Sequence, residues 1–208
     1  MNTRTSVLRK ALAIAVVASS FGVGFVQSAQ AAGTASIASV LTSDGNKFDK
    51  NAKDFDIVTE AVLAVLANNP DSAVKALTDG TIALTVFAPT DAAFRDLVKD
   101  LTGKVVQSEA KVFAAVANLG LPTVESVLLY HVIVGSTITS KQALAANGTN
   151  LEDSLGRPFL VNVRGKQITL KDANPTLKDP KVIAVDVNKG NMQIAHAIDR
   201  VLIPVRSL

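Results

Sequence analysis

From Ile82 to Ala88 the chain is dense in β-formers and almost free of polar side chains, and it then meets Pro89. A run that short and that apolar reads as a central strand. Pro89 lacks the N–H that a ladder requires, so the strand ends there. Thr90 suits the N-cap of a following helix, with Asp91 in its first turn where a carboxylate complements the helix dipole. Near the C-terminus, His196-Ala197-Ile198-Asp199-Arg200-Val201-Leu202-Ile203-Pro204 reads as part of a second such strand. Neither string carries a catalytic pattern, and both read as scaffold.

The rest of the chain arranges itself around that strand. Asp56 can cap a helix whose apolar face is Ile57, Val58, Ala61, Val62, Val65 and Leu66. Asn68-Asn69-Pro70-Asp71 ends it and caps a shorter helix through Ala73, Val74 and Leu77. After Thr90, helices are predicted past Phe94 to Thr102-Gly103, from Ser108 or Glu109 to Gly120, and from Pro122 to Tyr130. Thr139-Ser140-Lys141-Gln142 has capping-box spacing and predicts a last short helix to Ala146. Beyond Asn147-Gly148 the texture changes to turns and strands. Leu160–Arg164 and Gln167–Lys171 alternate around Gly165-Lys166 as a hairpin, and 182–187 and 194–205 supply two more strands. Helices early and strands late make an α+β fold rather than a βαβ one.

Residues 1–31 read as a secretory signal. Arg4, Arg9 and Lys10 precede an apolar stretch, and Ala29-Gln30-Ala31 offers the small residues of a cleavage site. The protein is therefore expected to be exported by a Sec-type route, periplasmic or extracellular, with no transmembrane anchor. Residues 32–53 read as a mature N-terminal arm with some local helix, and 54–206 as one domain. The net charge of +3, from 21 basic and 18 acidic residues, is carried entirely by the three cations of the leader. The mature chain is balanced, so no basic surface argues for nucleic acid. Cysteine is absent, so there are no disulfides and stability rests on the core.

Chemistry-bearing residues are sparse. His131 and His196 are the only imidazoles, too few for a zinc site without cysteine. No G-x-S-x-G elbow and no phosphate loop is present in the mature chain. Asp49, Asn51 and Glu60 occupy positions 1, 3 and 12 of an EF-hand frame, but Lys53 and Asp54 contradict it. Neither a cofactor nor a metal is expected. Tyr130 and His131 close an apolar helix just before Val132-Ile133-Val134, which predicts burial of both side chains with hydrogen-bond partners. On that reading His131→Ala costs roughly 1–3 kcal/mol.

These residues resemble the fasciclin domain family. Thr85 to Phe94 matches its T-V-F-A-P-T-[ND]-x-A-F string, Tyr130-His131-Val132 with Gly135 matches its central Tyr-His motif, and His196, Ile198, Asp199, Val201, Leu202 and Pro204 match its last signature. The resemblance implies helices packed beside a β-wedge sheet, with Thr90, Tyr130, His131, His196 and Asp199 as structural motif residues. It also implies a non-catalytic adhesion or interaction module whose partner is a protein, matrix or cell-surface component. In animal members an Asp-Ile pair before the last signature takes part in integrin binding, and Asp186 and Val187 hold the matching positions. Replacing Asp186 with Ala is then expected to weaken binding without lowering stability. The approach to the last signature, Asn191-Met192-Gln193-Ile194-Ala195-His196, is one residue longer than the family's and lacks its glycine, so a bulge or altered turn is expected there. Some relatives of this fold bind carotenoid-like pigments. A carrier of an apolar small molecule is therefore the alternative, in keeping with a 48% hydrophobic composition.

Overall fold

The computed structural model describes residues 32–43, 45 and 47–206. The signal-peptide reading falls on residues 1–31, outside the described residues. The helices are α1 Ile37–Leu41, α2 Asp56–Asn68, α3 Asp91–Thr102, α4 Glu109–Ala117, α5 Leu121–Tyr130 and α6 Ser140–Ala145, with a 3₁₀ helix at Ala73–Thr78. The strands are β1 Leu84–Pro89, β2 Val132–Val134, β3 Asn150–Glu152, β4 Pro158–Arg164, β5 Gln167–Lys171, β6 Val182–Val187 and β7 Gln193–Ile198. Among the described residues no single helix is long and apolar enough to cross a membrane.

Two sheets carry the strands. One is four-stranded in the order β2-β1-β7-β6, and the other is the antiparallel meander β3-β4-β5. β1 and β7 lie at the centre and run parallel in unbroken register from Leu84↔Gln193 to Pro89↔Ile198. The two signature strings are thus hydrogen-bonded neighbours. Each central strand is buried along its whole length, which is why neither shows a polar alternation. Leu84, Val86 and Ala88 face the cluster formed with α1 to α5, whereas Phe87 faces the cluster between the two sheets, with Phe159, Val161, Leu170 and Ile198. Period-two geometry divides one apolar strand between two cores. Thr85, the polar residue within it, is satisfied: its hydroxyl donates to the Ser136 carbonyl at 2.7 Å and accepts from Ile138 N–H at 2.8 Å.

Helix starts differ from expectation in an instructive way. Thr90 stands at the N-cap of α3 in extended conformation, yet its hydroxyl makes no capping bond. Asp56 is the first helical residue of α2 rather than its cap, and Phe55 precedes it without a side-chain bond. The missing cap comes from another element, because Asp91 Oδ1 accepts the Ile57 N–H at 2.9 Å. Ser72 rather than Asp71 caps the short 3₁₀ helix. At α6 the predicted capping box of Thr139 and Gln142 is complete. The last strand is shorter than the 194–205 expected: it ends at Ile198, and 200–205 runs on as irregular chain that still buries Val201, Leu202 and Ile203.

The arm is built into the fold. Gly33 forms a parallel bridge with Asn191, and Ile37 and Leu41 are buried in the helical core. Gln193, fully buried, accepts the Ile37 N–H at 2.8 Å and donates to the carbonyls of Ala76 and Asp79, each at 2.8 Å. One amide therefore joins arm, 3₁₀ helix and central sheet.

Candidate functional site

The polar residues singled out in the sequence fall into two buried posts and one surface edge. The first post is Tyr130-His131 at the end of α5. Tyr130, 1% exposed, donates to the Pro158 carbonyl at 2.9 Å and meets the Phe159 ring edge-on at 5.7 Å. Burial, reinforced by the Asp172 and Asp153 charges, pushes its hydroxyl up to about 12. His131 Nδ1 lies 2.7 Å from the Val127 carbonyl, and Nε2 accepts the Leu202 N–H at 2.9 Å. Those partners fix the neutral tautomer with the proton on Nδ1. Burial holds the imidazole down at about 4. Each ring nitrogen is engaged and no nucleophile faces either one, so the pair pins α5 to the C-terminal segment.

Arg157, which the sequence reading passed over, completes this post. Its guanidinium lies 5.1 Å from the Tyr130 ring centroid, pairs with Asp153 at 2.6 Å and donates to the hydroxyl and carbonyl of Ser126, each at 2.8 Å. Its signal was the i,i+4 Asp-Arg spacing in a turn that already carries Ser154 and Gly156.

The second post is His196 on β7. Its Nε2 donates to the Ile138 carbonyl at 2.8 Å, and Nδ1 accepts the Asp186 N–H at 3.3 Å. Its ring lies 5.6 Å from that of Phe87, its register partner on β1. Burial lowers its basicity, which favours the neutral ring that both contacts require. Asp199, just past β7, accepts the Lys181 N–H at 2.7 Å and returns its own N–H to the Lys181 carbonyl at 3.1 Å, closing the start of β6.

Asp186 lies at the end of β6, where its backbone takes a φ of 57°. Its carboxylate accepts from the Ser140 N–H and the Ser140 hydroxyl, both at 2.7 Å, and Lys189 approaches to 3.4 Å. Burial opposes ionisation, but the Ser140 donors and Lys189 hold the carboxyl below its usual range. The carboxylate thus ties β6 to the first turn of α6, and Asp186→Ala removes bonds the fold uses. Val187 is half-buried and packs against the helical core.

The approach expected to be irregular at 191–195 is entered through a turn in which Asn188 and Gly190 take φ of 66° and 92°, and the strand across the ladder is irregular as well. β7 keeps perfect register with β1, while β6 shifts register twice against β7, between Val182 and Ala184 and again between Ala184 and Val187. A central strand held on both sides cannot bulge without breaking two ladders, so the extra residues go to the edge. The bulged edge turns Ile183 and Val185 outward, at 56% and 48% exposure.

Comparison with known proteins agrees with this geometry. A model of the fasciclin domain matches residues 59–204. Among solved structures, a FAS1 domain pair from the insect cell adhesion molecule fasciclin I is similar, with 17% sequence identity and a TM-score of 0.50 over 70% of this chain and 46% of that one. The chain thus spans about half the length of that domain pair, and the likeness is one of fold. The search of curated proteins matched none. With the signature strings paired at the centre of the sheet and the family model covering most of its length, the chain belongs to the fasciclin domain family.

Proposed function

We propose that the mature protein is an exported, non-catalytic adhesion or interaction module that meets its partner along the β6 edge. The observation that carries this reading is the exposed apolar pair Ile183 and Val185 on an edge strand, beside the Asp186 and Val187 positions that correspond to the family's recognition pair. Two bulges interrupt that edge, so a partner is met by side chains rather than by adding a strand to the sheet. Both histidines are neutral and engaged in hydrogen bonds, which supports a scaffold role rather than acid–base chemistry.

A carrier of apolar molecules would need a cavity of about 300–1,000 Å³. The apolar cavities within the helical layer are about 20 Å³, lined by Phe94, Leu97 and Leu128 among others, and about 40 Å³, lined by Leu41, Val62 and Leu77 among others. Neither admits a pigment, and the larger clefts of about 490 Å³ and 590 Å³ lie open to solvent beside charged side chains such as Lys75, Asp79, Asp49 and Arg95, so the adhesion reading stands ahead of it.

The test is retention of the immobilised mature chain on cell-envelope and matrix preparations, with Ile183→Asp/Val185→Asp as the variant. Binding lost in a variant that melts like wild type supports the reading. Wild-type binding no greater than that of an unrelated exported protein rejects it.

A further inference from the structure

Acidic side chains from separate segments converge where the N-termini of α2, α3 and α4 meet the arm. Asp49 and Asp54 come from the chain leading into α2, Asp91 from the first turn of α3, and Glu109 from the first turn of α4. Carboxylate oxygens of Asp54, Asp91 and Glu109 all lie within 4.8 Å of one another, and so do those of Asp49, Asp54 and Asp56. The spread of Asp54, Asp91 and Glu109 suits oxygens bound at about 2.3–2.6 Å around one centre.

The second observation concerns one atom. Asp91 is 0% exposed, and its Oδ1 is taken by the Ile57 N–H, but no donor reaches its buried Oδ2. The side chain beside it is Asp54, whose Oδ1 is also buried without a donor. Ionised carboxylates only accept, so the two are satisfied by a proton held between them or by a cation. Arg95 reaches Glu109 at 2.7 Å, and with all three carboxylates ionised one guanidinium leaves two negative charges. Buried uncompensated charge is costly. A divalent cation cancels both charges, whereas one shared proton cancels only one.

We propose that Asp54, Asp91 and Glu109 form a calcium site that locks residues 48–54 onto the helical layer. An adjoining cleft of about 590 Å³, lined by Asp49, Arg95, Gln107 and Ser108 among others, gives water access to complete the coordination. Calcium takes six to eight oxygens in flexible geometry, so it tolerates a set part carboxylate and part water. The ligands come from three distant segments and exclude Glu60, which separates this site from the EF-hand frame. The segment it would lock already touches the helices through neighbouring contacts. Ala92 N–H reaches the Ala52 carbonyl at 2.9 Å, Asp49 N–H reaches Glu109 Oε2 at 2.5 Å, and the Phe48 and Phe113 rings lie 5.8 Å apart.

The exposed Lys50 and Lys53 allow a direct test. Metal-stripped mature chain is titrated with calcium chloride by calorimetry, and trypsin cleavage after those lysines is followed with and without calcium. A dissociation constant of about 0.1–1 mM, the range of extracellular calcium modules, is expected. Cleavage at about 10 mM calcium should slow by roughly 10- to 100-fold, following 1 + [L]/Kd. Asp91→Asn, which keeps an acceptor for Ile57, and Asp54→Asn should both fold and lose the calcium response. No binding heat with unchanged cleavage in wild type would overturn the proposal and leave a shared proton between the carboxylates. So would protection equalled by sodium chloride at matched ionic strength, or a calcium response that survives in both variants.

Discussion

His131 shows how much a single buried ring contributes. Removing it orphans the Leu202 N–H and the Val127 carbonyl in a site closed to water, so His131→Ala should cost about 1–3 kcal/mol in chemical denaturation. The ring also makes stability depend on pH. Its value in the fold, about 4, lies below the 6.5 of the free side chain, so the unfolded chain takes up a proton first as pH falls. The contribution is complete above about 6.5 and is lost between there and 4, at about 1.4 kcal/mol per pH unit. Arg157, whose charge also disfavours the imidazolium, acts in the same direction. Unfolding free energies of wild type and His131→Ala measured from pH 7 to pH 4.5 should therefore converge as pH falls. A difference that stays constant across that range would mean the ring is not held neutral. Asp186 belongs at this scale as well. Asp186→Ala should lower the melting temperature, because the Ser140 donors lose their acceptor; an unchanged melt would return that carboxylate to a purely recognitive role.

At the scale of elements, the sequence disclosed much of what depended on neighbouring residues, the caps at Thr90 and Ser72 excepted, and concealed what depended on a distant one. The capping box at Thr139 was legible because its partners are three residues apart, and the β4–β5 hairpin because its register follows from a two-residue turn. The cap of α2 was not legible. Asp91, in a turn where it already suited the dipole of its own helix, bonds instead to Ile57, 34 residues away. The same holds for the candidate site: burial of Tyr130 and His131 followed from their place after an apolar helix, but the Leu202 partner lies 71 residues off. The long approach to the last signature was visible as an anomaly, and its reason was not. The Gln193 amide there serves the arm and the 3₁₀ helix. Gly80 tells the same story from the opposite side, since a Cβ there would fall 1.8 Å from the Thr34 carbonyl oxygen. Gly80→Ala should displace the arm, seen as faster amide exchange at Ile37 with the sheet amides unchanged. Protection at Ile37 equal to wild type would show that the arm is not held at this crossing.

Over the whole molecule, the family match and the folded unit have different edges. The fasciclin model begins at residue 59, whereas burial begins with Ile37. A chain trimmed to residues 59–204 would lose Ile37, Leu41, Ile57 and Val58 from the helical core, all of them buried. Each fully buried aliphatic side chain contributes about 1.5–3 kcal/mol. It would also take the Ile37 N–H from the side-chain amide oxygen of Gln193. Against a total stability of about 5–15 kcal/mol, that loss is most or all of it. No disulfide is present to offset the loss, since the chain has no cysteine. Trimmed and mature chains compared by urea denaturation should therefore differ in kind: a cooperative transition for residues 32–208, and a partly unfolded or aggregating product for 59–204. A trimmed chain with an equally sharp transition and the same midpoint would show that the arm is an appendage, and that Gln193 finds its satisfaction elsewhere.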